Sequence, residues 1–203
     1  MNRNRSRGEE KRPGFLKPGQ DLIVAGSIGL TGATAAARAG EKALRERFSA
    51  SYADRLLSLD REAESFMQKR LEGEFFREAG VTEAEPAEDG GIMNSLWNLL
   101  EAHGLGCTIE LRAIPIRQET VEVCEVFDLN PYRLSSGGCL LMAADNGLTA
   151  LNALRKRGVE GAVIGKAEKG IARRILNGET ETFLDRPKPD EIEKILNQRE
   201  VKV

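Results

Sequence analysis

Apolar positions along the chain fall into short continuous runs and longer periodic stretches. The run at 139–144 (Cys-Leu-Leu-Met-Ala-Ala), entered from the small-residue loop Ser135-Ser136-Gly137-Gly138, suits a strand buried on both faces. Residues 22–25 and 162–165 predict two more strands, and 107–111 alternates as a fourth. Ile114-Pro115-Ile116 marks an extended segment ahead of a helix over 118–127. After Asp145-Asn146-Gly147 the spacing of Leu148, Leu151 and Leu154 predicts a helix that Gly158 stops. Segments 171–176 and 179–184 flank Asn177-Gly178, a strong hairpin signal. Asp190, with Glu193 three residues on, has the spacing of a capping box for a last helix.

The first half is more helical. Residues 26–32 (Gly-Ser-Ile-Gly-Leu-Thr-Gly) follow the first strand and lead into Ala-rich sequence that predicts a helix running to Arg47. Strand, glycine loop, helix is an order used to cradle phosphate. The spacing here is G-x-x-G-x-x-G, however, and no P-loop lysine accompanies it, so the glycines read as a tight connector. Leu56, Leu59, Ala63, Phe66, Met67 and Arg70 predict one amphipathic helix over 52–71. The acidic stretch 72–89, broken by Gly73, Gly80 and Pro86, reads as a connector rather than a core element. Gly90-Gly91 then opens a helix with Ile92, Leu96, Leu99 and Leu100 on one face, widened by Met93 and Trp97 and ended by Gly104 and Gly106. His103, the single histidine, falls in its last turn as a surface or capping residue. Strands alternating with helices and closing on a hairpin make the C-terminal half α/β.

Composition narrows the function classes. Apolar residues at 40% suffice for a core, and a net charge of −2 supplies no general attraction to nucleic acid or membrane. Basic charge gathers only in an N-terminal arm, where Arg3, Arg5, Arg7, Lys11 and Arg12 meet Glu9 and Glu10. That arm reads as solvated and disordered, and no aromatic-plus-basic pattern supports nucleic-acid binding. With no signal-peptide apolar region and no run of membrane-spanning length, the chain reads as cytoplasmic. Cys107, Cys124 and Cys139 are odd in number and widely spaced, which excludes metal spacing and a disulfide framework and leaves buried thiols.

The order of motifs Gly90-Gly91-Ile92-Met93-Asn94, Ala113-Ile114-Pro115-Ile116-Arg117, Asp128-Leu129-Asn130-Pro131-Tyr132, Ser135-Ser136-Gly137-Gly138-Cys139 and Ala162-Val163-Ile164-Gly165 resembles the C-terminal domain of the AIR synthase-related (PurM-like) superfamily. Within it the pattern is most similar to the hydrogenase-maturation-factor (HypE-like) branch. The resemblance spans about residues 15–196 and implies a PurM C-terminal-domain-like fold: an α/β (α+β) domain with a mixed β-sheet packed with helices. It implies a division into an arm at 1–14 and one domain at 15–203, with connector and helices over 15–85 and the α/β core over 86–203.

Members of that superfamily carry an N-terminal domain that supplies most ATP and magnesium ligands, and they use ATP to activate an oxygen of the substrate. HypE-type members act on a thiocarbamate carried by their own C-terminal cysteine. Three departures bear on activity. Only some fifteen residues precede the connector, without acidic metal ligands. The usual Asp-x-Thr-x-Gly-Gly is Pro86-Ala87-Glu88-Asp89-Gly90-Gly91, and the chain ends Val201-Lys202-Val203 with no cysteine. The resemblance therefore implies a standalone HypE-like domain acting as a binding or accessory module, with no catalytic residue assigned. The alternative is a subunit of a split ATP-dependent phosphotransfer or ligase-like enzyme. A separate ATP-binding N-domain protein or a second copy is the expected partner, and ATP and magnesium are expected only with that N-domain.

The candidate ligand or phosphate site is Gly90 and Gly91 at a helix N-terminus facing Ser135, Ser136, Gly137 and Gly138, where amides and hydroxyls would hold an anion. Two readings stand side by side: an anion site, or glycine pairs that let strands and helices pack tightly. Glu88 and Asp89 oppose an anion there unless magnesium mediates.

Overall fold

In the computed structural model, residues 14–67, 69 and 71–200 are described; the basic arm up to residue 13 and Arg70 lie outside them. Among the described residues one mixed sheet of seven strands runs in the order β2-β4-β1-β5-β3-β6-β7. Its strands are β1 (Asp21–Ala25), β2 (Val81–Pro86), β3 (Gly106–Glu110), β4 (Leu140–Ala144), β5 (Gly161–Glu168), β6 (Arg173–Asn177) and β7 (Thr180–Phe183). β3 and β6 run parallel, and the other neighbouring pairs are antiparallel.

The apolar runs of β1 and β4 are buried on both faces because each face is roofed by helices. Leu22, Val24, Leu141 and Ala143 point to one side, into a core shared with α6 (Gly91–Ala102). Ile23, Ala25, Met142 and Ala144 point to the other, beneath α5 (Gly73–Glu78) and α8 (Gly147–Lys156). This is the two-residue period of a strand, read on both faces. Ile92, Leu96, Leu99 and Leu100 form the predicted stripe of α6, and burial of each contributes about 2 kcal/mol. A third core joins α1 (Leu30–Ala39), α2 (Glu41–Arg47), α3 (Ala50–Leu56), α4 (Asp60–Met67) and α7 (Gln118–Phe127) through Leu30, Leu44, Leu56, Leu59, Val123 and Leu134. The remaining helix, α9 (Glu193–Glu200), follows β7.

Several expectations are corrected. The helix expected to reach Arg47 breaks at Gly40, where a Cβ would lie 2.3 Å from the Phe127 ring. The helix expected over 52–71 is two: Thr34 Oγ1 on α1 accepts the Asp60 amide (2.9 Å), and Arg38 Nε donates to the Leu57 carbonyl (3.2 Å), so tertiary bonds end one helix and start the next. The acidic connector contains α5 and the sheet strand β2, with Phe75 and Phe76 buried. β2 pairs with β4, and Gly14 bridges to Glu83 on its other side. Leu148 is exposed; α8 buries Gly147, Ala150, Ala153 and Leu154 instead. The hairpin forms, but Asn177 pairs with Thr180, so Gly178 (φ 64°) and Glu179 make its turn. The three cysteines are free and buried, and burial pushes each thiol up to about 12.

Candidate functional site

Sheet topology gathers the candidate residues at one end of the sheet. β4 runs antiparallel to both β1 and β2, so its first residue, Leu140, lies between Ala25 and Pro86, at the carboxyl ends of those strands. α1 follows β1, α6 follows β2, and the Ser135-Ser136-Gly137-Gly138 loop precedes β4. Two helix N-termini and the loop meet there, at the carboxyl ends of strands where α/β folds commonly bind ligands.

The loop is stitched to the first turn of α1. The Gly29 amide donates to Ser136 Oγ (2.7 Å), which itself donates to the Leu134 carbonyl (2.8 Å). The Gly32 amide and Thr31 Oγ1 both donate to the Ser135 carbonyl (3.0 and 2.9 Å), and the Gly137 amide donates to Thr31 Oγ1 (2.8 Å). Gly138 (φ 81°) passes so close to α4 that a Cβ would sit 2.7 Å from the Ala63 carbonyl oxygen. Gly91 (φ 63°) is packed in the same way: a Cβ would meet the carbonyl oxygens of Leu134 and Tyr132 at 2.7 and 2.8 Å.

Gly90 (φ 71°) caps α6, and its amide donates to Asp190 Oδ2 (2.9 Å). Asp190 arrives on a strap that leaves β7 and crosses the start of α6. Asn94 holds the strap by a reciprocal pair, donating from Nδ2 to the Lys188 carbonyl (2.9 Å) and accepting the Lys188 amide (3.1 Å). The Glu191 amide donates to the Arg133 carbonyl, and Glu191 Oε2 accepts the Asn130 amide (3.0 Å). The Arg133 side chain is 11% exposed; its Nη2 pairs with Asp185 at 3.1 Å, while its buried Nη1 has no hydrogen-bond partner. A hydrogen bond from Lys188 holds the Asp185 carboxyl below its usual range against partial burial, and the charges of Lys188 and Arg133 add to this. The expected capping box is corrected here. Asp190 spends one carboxylate oxygen on Gly90 and the other on the Ile192 amide (3.0 Å), ahead of α9.

Strap, α1 and α6 enclose a cleft of about 460 Å³. Of the six sequence candidates, Gly90 and Ser135 line it. Gly91 faces the 132–134 backbone, and Ser136, Gly137 and Gly138 form the loop beneath. Thr31, Asn94, Lys188 and Asp190 also line the cleft and were not singled out as site residues from sequence. Asp190 was visible only as a cap, because its partner Gly90 lies 100 residues away. His103 closes α6 elsewhere, its Nε2 3.1 Å from Oε2 of Glu83 on β2. Among the described residues no group of three or more His, Cys, Asp and Glu side chains could hold a metal, and no helix is long and apolar enough to cross a membrane.

Residues 17–175 match the family described as AIR synthase related protein, C-terminal domain. The chain belongs to that family. This AIR synthase-related domain is 30% identical over 165 residues to carbamoyl dehydratase HypE of Rhodobacter capsulatus, covering 79% of the chain and 45% of that relative. It thus spans about half of the relative's length. The fold is shared with crystal structures of E. coli HypE (TM-score 0.63, 23% identity, 90% of this chain and 54% of that one). It is shared also with HypE in complex with ATP (TM-score 0.59, 18% identity, 87% and 53%).

A phosphate or other anion is the group expected from the sequence at this end of the sheet. As arranged, the site does not fit one at the Gly90 amide. The chain's own carboxylate is bonded there, Ser136 Oγ is committed to Gly29 and Leu134, and the Gly137 amide is committed to Thr31.

Proposed function

We propose that this AIR synthase-related domain acts as a HypE-like binding or accessory module in hydrogenase or other metallocofactor maturation. It offers the cleft between α1, α6 and the Ser135 loop to a partner bearing an ATP-binding domain. The observation that carries this reading is the convergence of two helix N-termini and a serine-glycine loop on one cleft, in a domain whose relative at 30% identity is a carbamoyl dehydratase. Gly90 and Ser135 are the proposed contacts, while Gly91, Ser136, Gly137 and Gly138 fix the cleft's walls by close packing.

The test is size-exclusion chromatography with light scattering, on the domain alone and mixed with a candidate ATP-binding N-domain protein, with and without ATP–magnesium. A complex of defined stoichiometry supports the module. A domain that stays unbound with each N-domain candidate and ATP–magnesium refutes it. ATP turnover in the mixture but in neither component alone would make the domain one subunit of a split enzyme.

A further inference from the structure

The mismatch between a phosphate and the Gly90 amide has a specific cause, the strap. We infer that the segment from Asp185 to Leu196 is an autoinhibitory latch that seats Asp190 as an internal anion at the start of α6 and must lift before an external oxyanion can reach that amide. The inference concerns regulation of the cleft and rests on the reading of that cleft as the binding site.

The strap is fastened at four points on two other segments, the start of α6 and residues 130–133. Asp185 is paired with Arg133, Lys188 exchanges two bonds with Asn94, Asp190 accepts from Gly90, and Glu191 both accepts from Asn130 and donates to Arg133. These fasteners are polar and mostly at the surface. Asp185 is about half exposed, and Leu196, which lines the cleft, is 48% exposed. The inward apolar contacts come from Ile192 and Ile195, both only partly buried. Segments held by solvent-accessible hydrogen bonds and little apolar burial open locally without global unfolding.

The Asp190 contact is a carboxylate on a backbone amide at a helix N-terminus, the charge and geometry that an oxyanion would otherwise adopt. An external oxyanion and Asp190 therefore compete for one donor. The buried Nη1 of Arg133, whose Nη2 pairs with Asp185, has no hydrogen-bond partner, so its N–H donors are unused in the latched state.

The test uses the full chain, isotope-labelled, with inorganic phosphate as probe. Amide exchange at Gly90, Asn130 and Lys188 is compared in wild type, Asp190→Ala and Asn94→Ala, the last leaving the carboxylate in place. A latch predicts that either substitution speeds exchange at all three amides together while α6 beyond its first turn keeps its protection. It also predicts that Asp190→Ala strengthens phosphate binding, read as the Gly90 shift, by about tenfold or more, as loss of a charge-assisted competitor implies. Asp190→Asn, keeping an acceptor without charge, should fall between. Exchange that changes at Gly90 alone overturns the latch as a unit. Concerted opening with no gain in phosphate affinity overturns the gating, and the partner-mixing experiment then judges the module separately.

Discussion

Replacing Gly91 by alanine separates backbone strain from packing at the start of α6. Gly91 adopts φ 63°, and a non-glycine residue in the left-handed region costs about 1–2 kcal/mol. The new methyl would also lie 2.7 Å from the Leu134 carbonyl oxygen, 2.8 Å from that of Tyr132 and 2.9 Å from the Leu134 amide nitrogen. All three are backbone atoms, and the Leu134 carbonyl is held by Ser136 Oγ, so they cannot swing aside as a side chain tip would. Overpacking of this kind adds about 1–3 kcal/mol. Gly104, with the same φ of 63° and nothing within 4 Å of an added methyl, is the control that carries strain alone. Equilibrium urea unfolding followed by fluorescence of the single tryptophan, Trp97 on α6, should show Gly104→Ala losing about 1–2 kcal/mol and Gly91→Ala about 2–5 kcal/mol. Equal losses in the two variants would refute the packing argument.

Other consequences are open to direct measurement. Thr120 is fully buried with Oγ1 unbonded, so Thr120→Val should raise stability by about 1 kcal/mol in the same urea assay, and a loss would mean that the hydroxyl has a partner. Burial raises the Asp21 carboxyl, but hydrogen bonds from Lys166 and the Gly147 amide, with the Lys166 charge, outweigh it and leave the group below its ordinary value. A depressed carboxyl stabilises the fold above its unfolded pKa of about 4 and loses that contribution as pH falls through the folded value. Thermal melts from pH 7 to pH 3 should therefore fall more steeply for wild type than for Asp21→Asn, and parallel curves would contradict this. With the three thiols buried and pushed up to about 12, a thiol reagent at pH 8 should label none in the native state and all three in denaturant.

The sheet's centre was legible because β1, β4 and β5 carry their signal locally, as apolar runs between turn residues. The stripes of α6 and the bounds of α7 were legible for the same reason. β2 was not: Glu83, Ala84 and Glu85 give little strand propensity, and the segment is a strand because β4 on one side and Gly14 on the other supply its ladder. The break between α3 and α4 is imposed from α1 by Thr34 and Arg38, which no window over 52–71 contains. At the candidate site the glycines announced tight geometry. What sits on the Gly90 amide, however, was decided by a residue a hundred positions later.

The strand order has a consequence for how the chain is made. β1 leaves the ribosome first among the strands, yet its two neighbours in the sheet are β4 and β5, which begin at Leu140 and Gly161. At about 5–20 residues per second, that apolar strand waits for about 6–23 seconds before either neighbour begins to appear. During that interval Leu22, Ile23 and Val24 are an unpaired strand edge in a growing chain, and the helices that follow cannot supply a ladder. Pairing of β1 is thus held until β4 and β5 have been made, and the interval before it is when the nascent chain is most open to association with itself or to capture by a chaperone.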